Sequence, residues 1–235
     1  MLILLLTLII SFDLHLNTAA TVAKEGTFTF EVAINYQGEH ICSGAIISEY
    51  LIVTTAHSIK HKLARDLTVT TADLTHEVNR TEIHPFFATA TRDYDVALIT
   101  LIKPMPLDTV ITVSNIEVIP NNYIINGAKE GTLVYWETYP LQRLMYSHAE
   151  LWAQDSCTRI ISNDFAKNID LLKYNEAKFC AAIEMGSCEG DDGGSLIVDD
   201  QLLGIVSSSV SCDMNFKLLV FTNLAYVREW VVDGY

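Results

Sequence analysis

Short runs of β-branched and aromatic residues, each cut off by a turn within a few residues, leave this chain little choice but a fold built from sheets. Thr27–Ile34, Ile41–Thr54, Leu67–Thr71, Val96–Leu101, Gly131–Glu137, Ser195–Val198 and Leu203–Ser207 are such runs. Side chains of this kind fit a pleated, half-buried surface. Strands this short and this closely spaced point to an all-β sandwich or barrel. Only the C-terminal stretch, about Ala225–Val232, reads as a helix, and no low-complexity linker or repeat divides the chain.

The 235 residues are 50% apolar and 19% charged, which marks a globular protein. A net charge of −14 argues against nucleic-acid or anionic-membrane partners, both of which require basic patches. Met1–Ile10 is an apolar run, broken only by Thr7, but is shorter than the roughly 20 residues that span a bilayer. It reads as the core of a signal peptide, residues 1–20, with small residues Thr18-Ala19-Ala20 before a cleavage point, although no Lys or Arg precedes it. An uncleaved interfacial anchor is the other reading. The mature chain is therefore expected to be secreted and extracellular, with no membrane attachment. Five cysteines in such a chain suggest disulfides plus one odd thiol. Asn79-Arg80-Thr81 is a glycosylation sequon, with occupancy left open. His40, His61, His76, His84 and His148 show no metal-ligand spacing, and neither a metal nor another cofactor is expected.

Three motifs carry chemistry. The first is Cys42-Ser43-Gly44-Ala45-Ile46-Ile47 leading to Val53-Thr54-Thr55-Ala56-His57. The second is Arg92-Asp93-Tyr94-Asp95-Val96-Ala97-Leu98-Ile99. The third is the glycine-rich loop Cys188-Glu189-Gly190-Asp191-Asp192-Gly193-Gly194-Ser195-Leu196. Together they resemble the trypsin-like (chymotrypsin-fold, S1) serine proteases, whose patterns run C-G-G-S-(L/I)-I to V-L-T-A-A-H-C, N-D-I-A-L-(L/I), and C-x-G-D-S-G-G-P-L. The resemblance covers about Asn17 to Tyr235. It implies two packed six-stranded antiparallel β-barrels with a cleft between them. Barrel one would span about 21–112, barrel two about 123–224, and a C-terminal helix about 225–232. His57 takes the general-base position and Asp95 that of the acid orienting it. Gly190 and Asp192 take the oxyanion-hole positions. Asp191 takes that of the acid pairing with a newly cut N-terminus. Cys157 is matched with Cys180, and Cys188 with Cys212.

Departures from the pattern shape the functional expectation. Asp192 stands where the family has its nucleophilic serine. The reaction needs a hydroxyl that an imidazole can deprotonate, and a carboxylate charge opposes the developing oxyanion. Ser195, three residues on at the family's proline position, is not expected to substitute. Spacing aligns Asn17-Thr18-Ala19-Ala20 with the family's I-V-G-G, and Leu16 precedes it, so no tryptic activation site is expected. Ser58 replaces the cysteine that would pair with Cys42. That leaves Cys42 unpaired, read as a small inert hydrophobe in preference to an intermolecular disulfide. Trp136 is expected to pack in the second barrel, between Tyr135 and Glu137, which replace two family glycines. Two acids around His57 favour the imidazolium and predict a raised pKa.

The specificity pocket also differs. Gly186 at its base removes a preference for basic side chains. Ser207, Ser208 and Ser209 align with the family's S-W-G, and Leu219 replaces a second glycine and is expected to fill part of the cavity. A shallow, elastase-like pocket is the alternative. The expectation is thus a chain that is not an enzyme: a secreted serine protease homologue acting by protein binding, with a protease or its substrate as partner, as a cofactor or regulator of a proteolytic cascade. The alternative is an active serine endopeptidase with chymotrypsin- or elastase-like preference.

Overall fold

The computed structural model describes residues 20–72, 74–115, 130–137, 143–153, 157, 176–184, 192–212 and 216–233. Six strands close the first barrel: β2 (Glu31–Tyr36), β3 (Glu39–Ser48), β4 (Leu51–Thr54), β5 (Leu67–Thr70), β6 (Thr75–Ile83) and β7 (Ala97–Leu101), in the ring order β2-β3-β4-β7-β6-β5. The run Ile41–Thr54 is two strands, because the chain turns back at Glu49-Tyr50.

The second barrel is formed by β8 (Glu130–Glu137), β9 (Arg143–Trp152), β10 (Lys178–Glu184), β11 (Ser195–Val198), β12 (Gln201–Cys212) and β13 (Phe216–Asn223). The sheet order β9-β10-β13-β12-β11-β8 is closed by pairing of β8 with β9. β1 (Thr21–Val22) lies along β9, with Thr21 opposite Tyr146. The fold is therefore the pair of closed six-stranded antiparallel barrels that the motifs implied.

Alternation of side chains explains how such short strands bury a core. On β9, Met145, Ser147, Ala149 and Leu151 point inward, whereas His148 and Glu150 are exposed. β2 is buried on both faces, because one face lines its own barrel and the other meets the second. A third apolar cluster joins the two barrels. It brings Val53, Leu98 and Ile111 together with Leu202, Ile205 and Leu224. The C-terminal helix, a π-helical turn at Glu229–Asp233, adds Val231 to this cluster. Each such buried side chain contributes about 1.5–3 kcal/mol.

Period-two alternation also corrects the placing of Trp136. Tyr135 points into the second barrel and is fully buried. Trp136 therefore faces the other way, toward the first barrel, where its Nε1–H donates to the Glu31 carbonyl at 3.3 Å and its backbone N–H to Ser43 Oγ at 2.9 Å. Cys157 and Cys180 form a disulfide. Cys188 lies outside the described residues and so does the side chain of Cys212.

Candidate active site

His57 sits in α1 (Ala56–Ile59), a single helical turn directly after β4. Its backbone N–H donates to Asp95 Oδ1 at 2.8 Å, and its ring Nδ1–H meets Asp95 Oδ2 at 2.6 Å. Asp95 is wholly buried. Ser207 Oγ on β12 donates to the same Oδ2 at 2.6 Å, and Thr222 Oγ1 on β13 donates to the Asp95 backbone carbonyl at 2.9 Å. The second barrel thus holds the acid that orients the first barrel's imidazole.

Asp192 comes from the turn before β11. Its carbonyl accepts from Ser43 N–H at 2.8 Å, Gly193 N–H donates to the Val206 carbonyl at 2.8 Å, and Val206 N–H donates to the Gly194 carbonyl at 2.8 Å. The turn is thereby pinned between β3 and β12. Gly193 has φ +79°, and a Cβ there would lie 2.1 Å from the Ser43 carbonyl oxygen, so only glycine permits the approach. The result sets Asp192 Oδ2 3.0 Å from His57 Nε2.

The imidazole is therefore held at both nitrogens by carboxylates. Burial pulls its pKa down, but the bonds to Asp192 and Asp95 more than offset this and leave it raised to about 8. Burial pushes Asp95 up, and the His57 and Ser207 contacts outweigh it, holding the carboxyl below its usual range. The raised imidazole pKa read from the sequence is what the geometry supports.

A hydroxyl also reaches this nitrogen. Ser58 Oγ lies 3.2 Å from His57 Nε2 and accepts from Thr55 Oγ1 at 2.7 Å. The sequence drew attention to Ser58 only as a lost cysteine. Its contact with Nε2 depends on how the two side chains are turned, which a motif comparison does not weigh. Ser195 is elsewhere: it is buried, and its Oγ donates to Glu31 Oε2 at 2.5 Å.

The Trypsin family model matches residues 19–231. The chain belongs to the trypsin family. Hypodermin-A of Hypoderma lineatum is 29% identical over 226 residues, covering 90% of this chain and 84% of that protein. Trypsin of Phaedon cochleariae is 27% identical over 223 residues, covering 87% and 82%. Neuropsin, a serine protease of mouse brain, superposes with a TM-score of 0.73 at 19% identity, covering 92% of this chain and 98% of that one, which shows the shared fold. The match overturns the expectation that the chain is not an enzyme, because this trypsin family is one of serine endopeptidases.

Of the other residues singled out, Ser207 binds Asp95, Ser208 is half-buried and Ser209 exposed. Leu219 is fully buried in the second barrel's core with Phe179, Ala181 and Phe221. Cys42 is a free, buried thiol 3.4 Å from Thr54 Oγ1, and burial pushes its pKa up to about 12. Asn79 is exposed on β6. Gly186, Gly190 and Asp191 lie outside the described residues, as do residues 1–19, where a signal peptide was expected. Among the described residues, no helix is long and apolar enough to cross a membrane.

Proposed function

We propose that this trypsin-family protein acts in extracellular proteolysis by binding polypeptide in the cleft between its barrels, as a partner or regulator within a protease cascade. The carrying observation is the 3.0 Å contact of Asp192 Oδ2 with His57 Nε2. It puts a carboxylate on the nitrogen that would accept a seryl proton at the family's nucleophile position, and makes the cleft floor an Asp95–His57–Asp192 ion cluster. The barrel walls still offer a place for an extended chain. β11 pairs with β12 as far as Ile205 and the Gly193–Gly194 turn carries the pairing on to Val206, so among the described residues the β12 edge from Ser208 to Cys212 has no strand partner on that side. Such edges bind extended polypeptide through main-chain hydrogen bonds. The test is calorimetric titration with a substrate-like protein inhibitor of trypsin-family proteases, alongside capture of partners from the native fluid. Binding, with a protease, inhibitor or protease substrate captured, supports the reading. Absence of heat at about 1 mM inhibitor, the −4 kcal/mol level, counts against it.

A second reading is serine-type hydrolysis through Ser58, favoured by its 3.2 Å approach to Nε2. Ser58 Oγ would bond to the substrate carbonyl carbon while its proton passes to Nε2. That proton would then go to the leaving amine as the C–N bond breaks, and water would release the acyl group. His57 must be neutral for this, so hydrolysis should rise as pH passes about 8. Fluorophosphonate labelling mapped to Ser58, and lost in Ser58→Ala, supports it. Unlabelled protein at pH 9 excludes it.

A further inference from the structure

Arg92 lies three residues before Asp95, in the loop that delivers the buried acid to His57. Its Nη1 lies 3.4 Å from Asp95 Oδ2 and 3.5 Å from the Ser207 carbonyl oxygen. Both distances are long for N–H···O bonds, so the guanidinium acts there chiefly as a fixed positive charge. Asp95 Oδ2 is the same oxygen that receives His57 Nδ1–H and Ser207 Oγ–H.

The loop is built to hold Arg92 in this place. Arg92 has φ +56° and Tyr94 φ +52°, a region that non-glycine residues occupy only when their surroundings enforce it. Buried Lys178, reaching across from β10, supplies the enforcement. It donates to the Thr91 carbonyl at 2.6 Å and pairs with Asp93 at 2.5 Å, so it grips the residues on either side of Arg92. Arg92 N–H donates to the Ala88 carbonyl at 2.8 Å.

We infer that Arg92 is a positioning residue of the centre: it steadies the Asp95 carboxylate and thereby sets how readily His57 carries its second proton. The inference rests on reading the Asp95–His57–Asp192 cluster as the functional site. Among the described residues, the charged and titratable groups facing it are Asp95 and Arg92 from the loop before β7, Asp192 from the turn before β11, and the Cys42 thiol from β3. The hydroxyls of Ser58 and Ser207 face it as well. Arg92 balances the two carboxylates against one imidazolium. Without it, the Asp95 charge acts undiluted on the ring, and the imidazolium persists to higher pH.

The test is a pH titration of the His57 ring signals by ¹⁵N NMR, on the whole chain, for the wild type, R92G and R92K. Glycine suits φ +56°, so R92G relieves the backbone while removing the charge. R92K keeps a charge. R92G should raise the His57 midpoint by about half a unit or more, with R92K within about 0.2 of the wild type. A merely structural tether would leave the midpoint unmoved. A folded R92G whose midpoint matches the wild type within about 0.2 units overturns the inference, and R92Q makes the same comparison if R92G does not fold. The titration uses the unliganded protein, so failure of polypeptide binding would leave its outcome readable.

Discussion

Replacing Asp192 with Asn removes one carboxylate from the imidazole and leaves the rest of the turn in place, so stability should change in a pH-dependent way. The His57 pKa is about 8 in the folded chain against 6.5 for the free side chain, a difference of about 1.5 units. At 1.36 kcal/mol per unit the whole cluster contributes about 2 kcal/mol through this group. The interaction seen from Asp95 is the same bond and is not added again. The Asp192 side chain is 45% exposed, so solvent screens its share, and about 1 kcal/mol or less is the expected loss in Asp192→Asn. The sign follows from a folded pKa raised above the unfolded one. The stabilisation is complete below about pH 6.5, declines as pH passes about 8, and is gone near pH 9. Urea unfolding of both proteins at half-unit steps from pH 6 to 9 measures it. The gap should be largest at pH 6, equivalent to a fall of about 2–4 °C in Tm, and should close by pH 9. A gap that is flat or widens with pH would refute the assignment of the raised pKa to Asp192.

Three further outcomes are expected. Cys42, with its thiol pKa pushed up to about 12, should resist iodoacetamide in the native protein at pH 8 and react fully in urea; brisk native labelling would contradict its burial. Gly193→Ala should cost about 3 kcal/mol or more, or prevent folding, because the new Cβ meets the Ser43 carbonyl at a strained φ; an unchanged urea midpoint would show that the turn is not held against β3. Burial raises the Glu31 carboxyl well above its usual range, with the Ser195 bond opposing, so the folded state keeps a proton that the unfolded state loses above about pH 4.5. Glu31→Gln should therefore gain stability relative to the wild type as pH rises from 4 to 8, and a pH-independent difference would rule this out.

That the fold is built from sheets was legible because short β-rich runs and the turns between them are local features, whereas the division into two barrels followed from the resemblance of the motifs. β9, with its regular alternation, lies outside the runs that composition marks as strands. Trp136 shows the limit of motif matching: a motif marks the strand, whereas strand parity turns Tyr135 inward and Trp136 toward Glu31. The site was half legible for a related reason. His57, Asp95 and Asp192 lie in recognisable motifs, and their convergence could be anticipated from the resemblance. Ser58 and Arg92 stand in the same motifs but at positions where the family pattern either expects a cysteine or specifies nothing. Their roles come from contacts that no linear pattern encodes: one between neighbours folded onto a single helical turn, the other spanning 115 residues to Ser207. A substitution at a motif position thus tells which group is missing, whereas the electrostatics depend on every group the fold brings back to the same place. At this site a carboxylate, a hydroxyl and a guanidinium gather around the His57–Asp95 pair, so its chemistry follows from the balance among them and not from Asp192 alone.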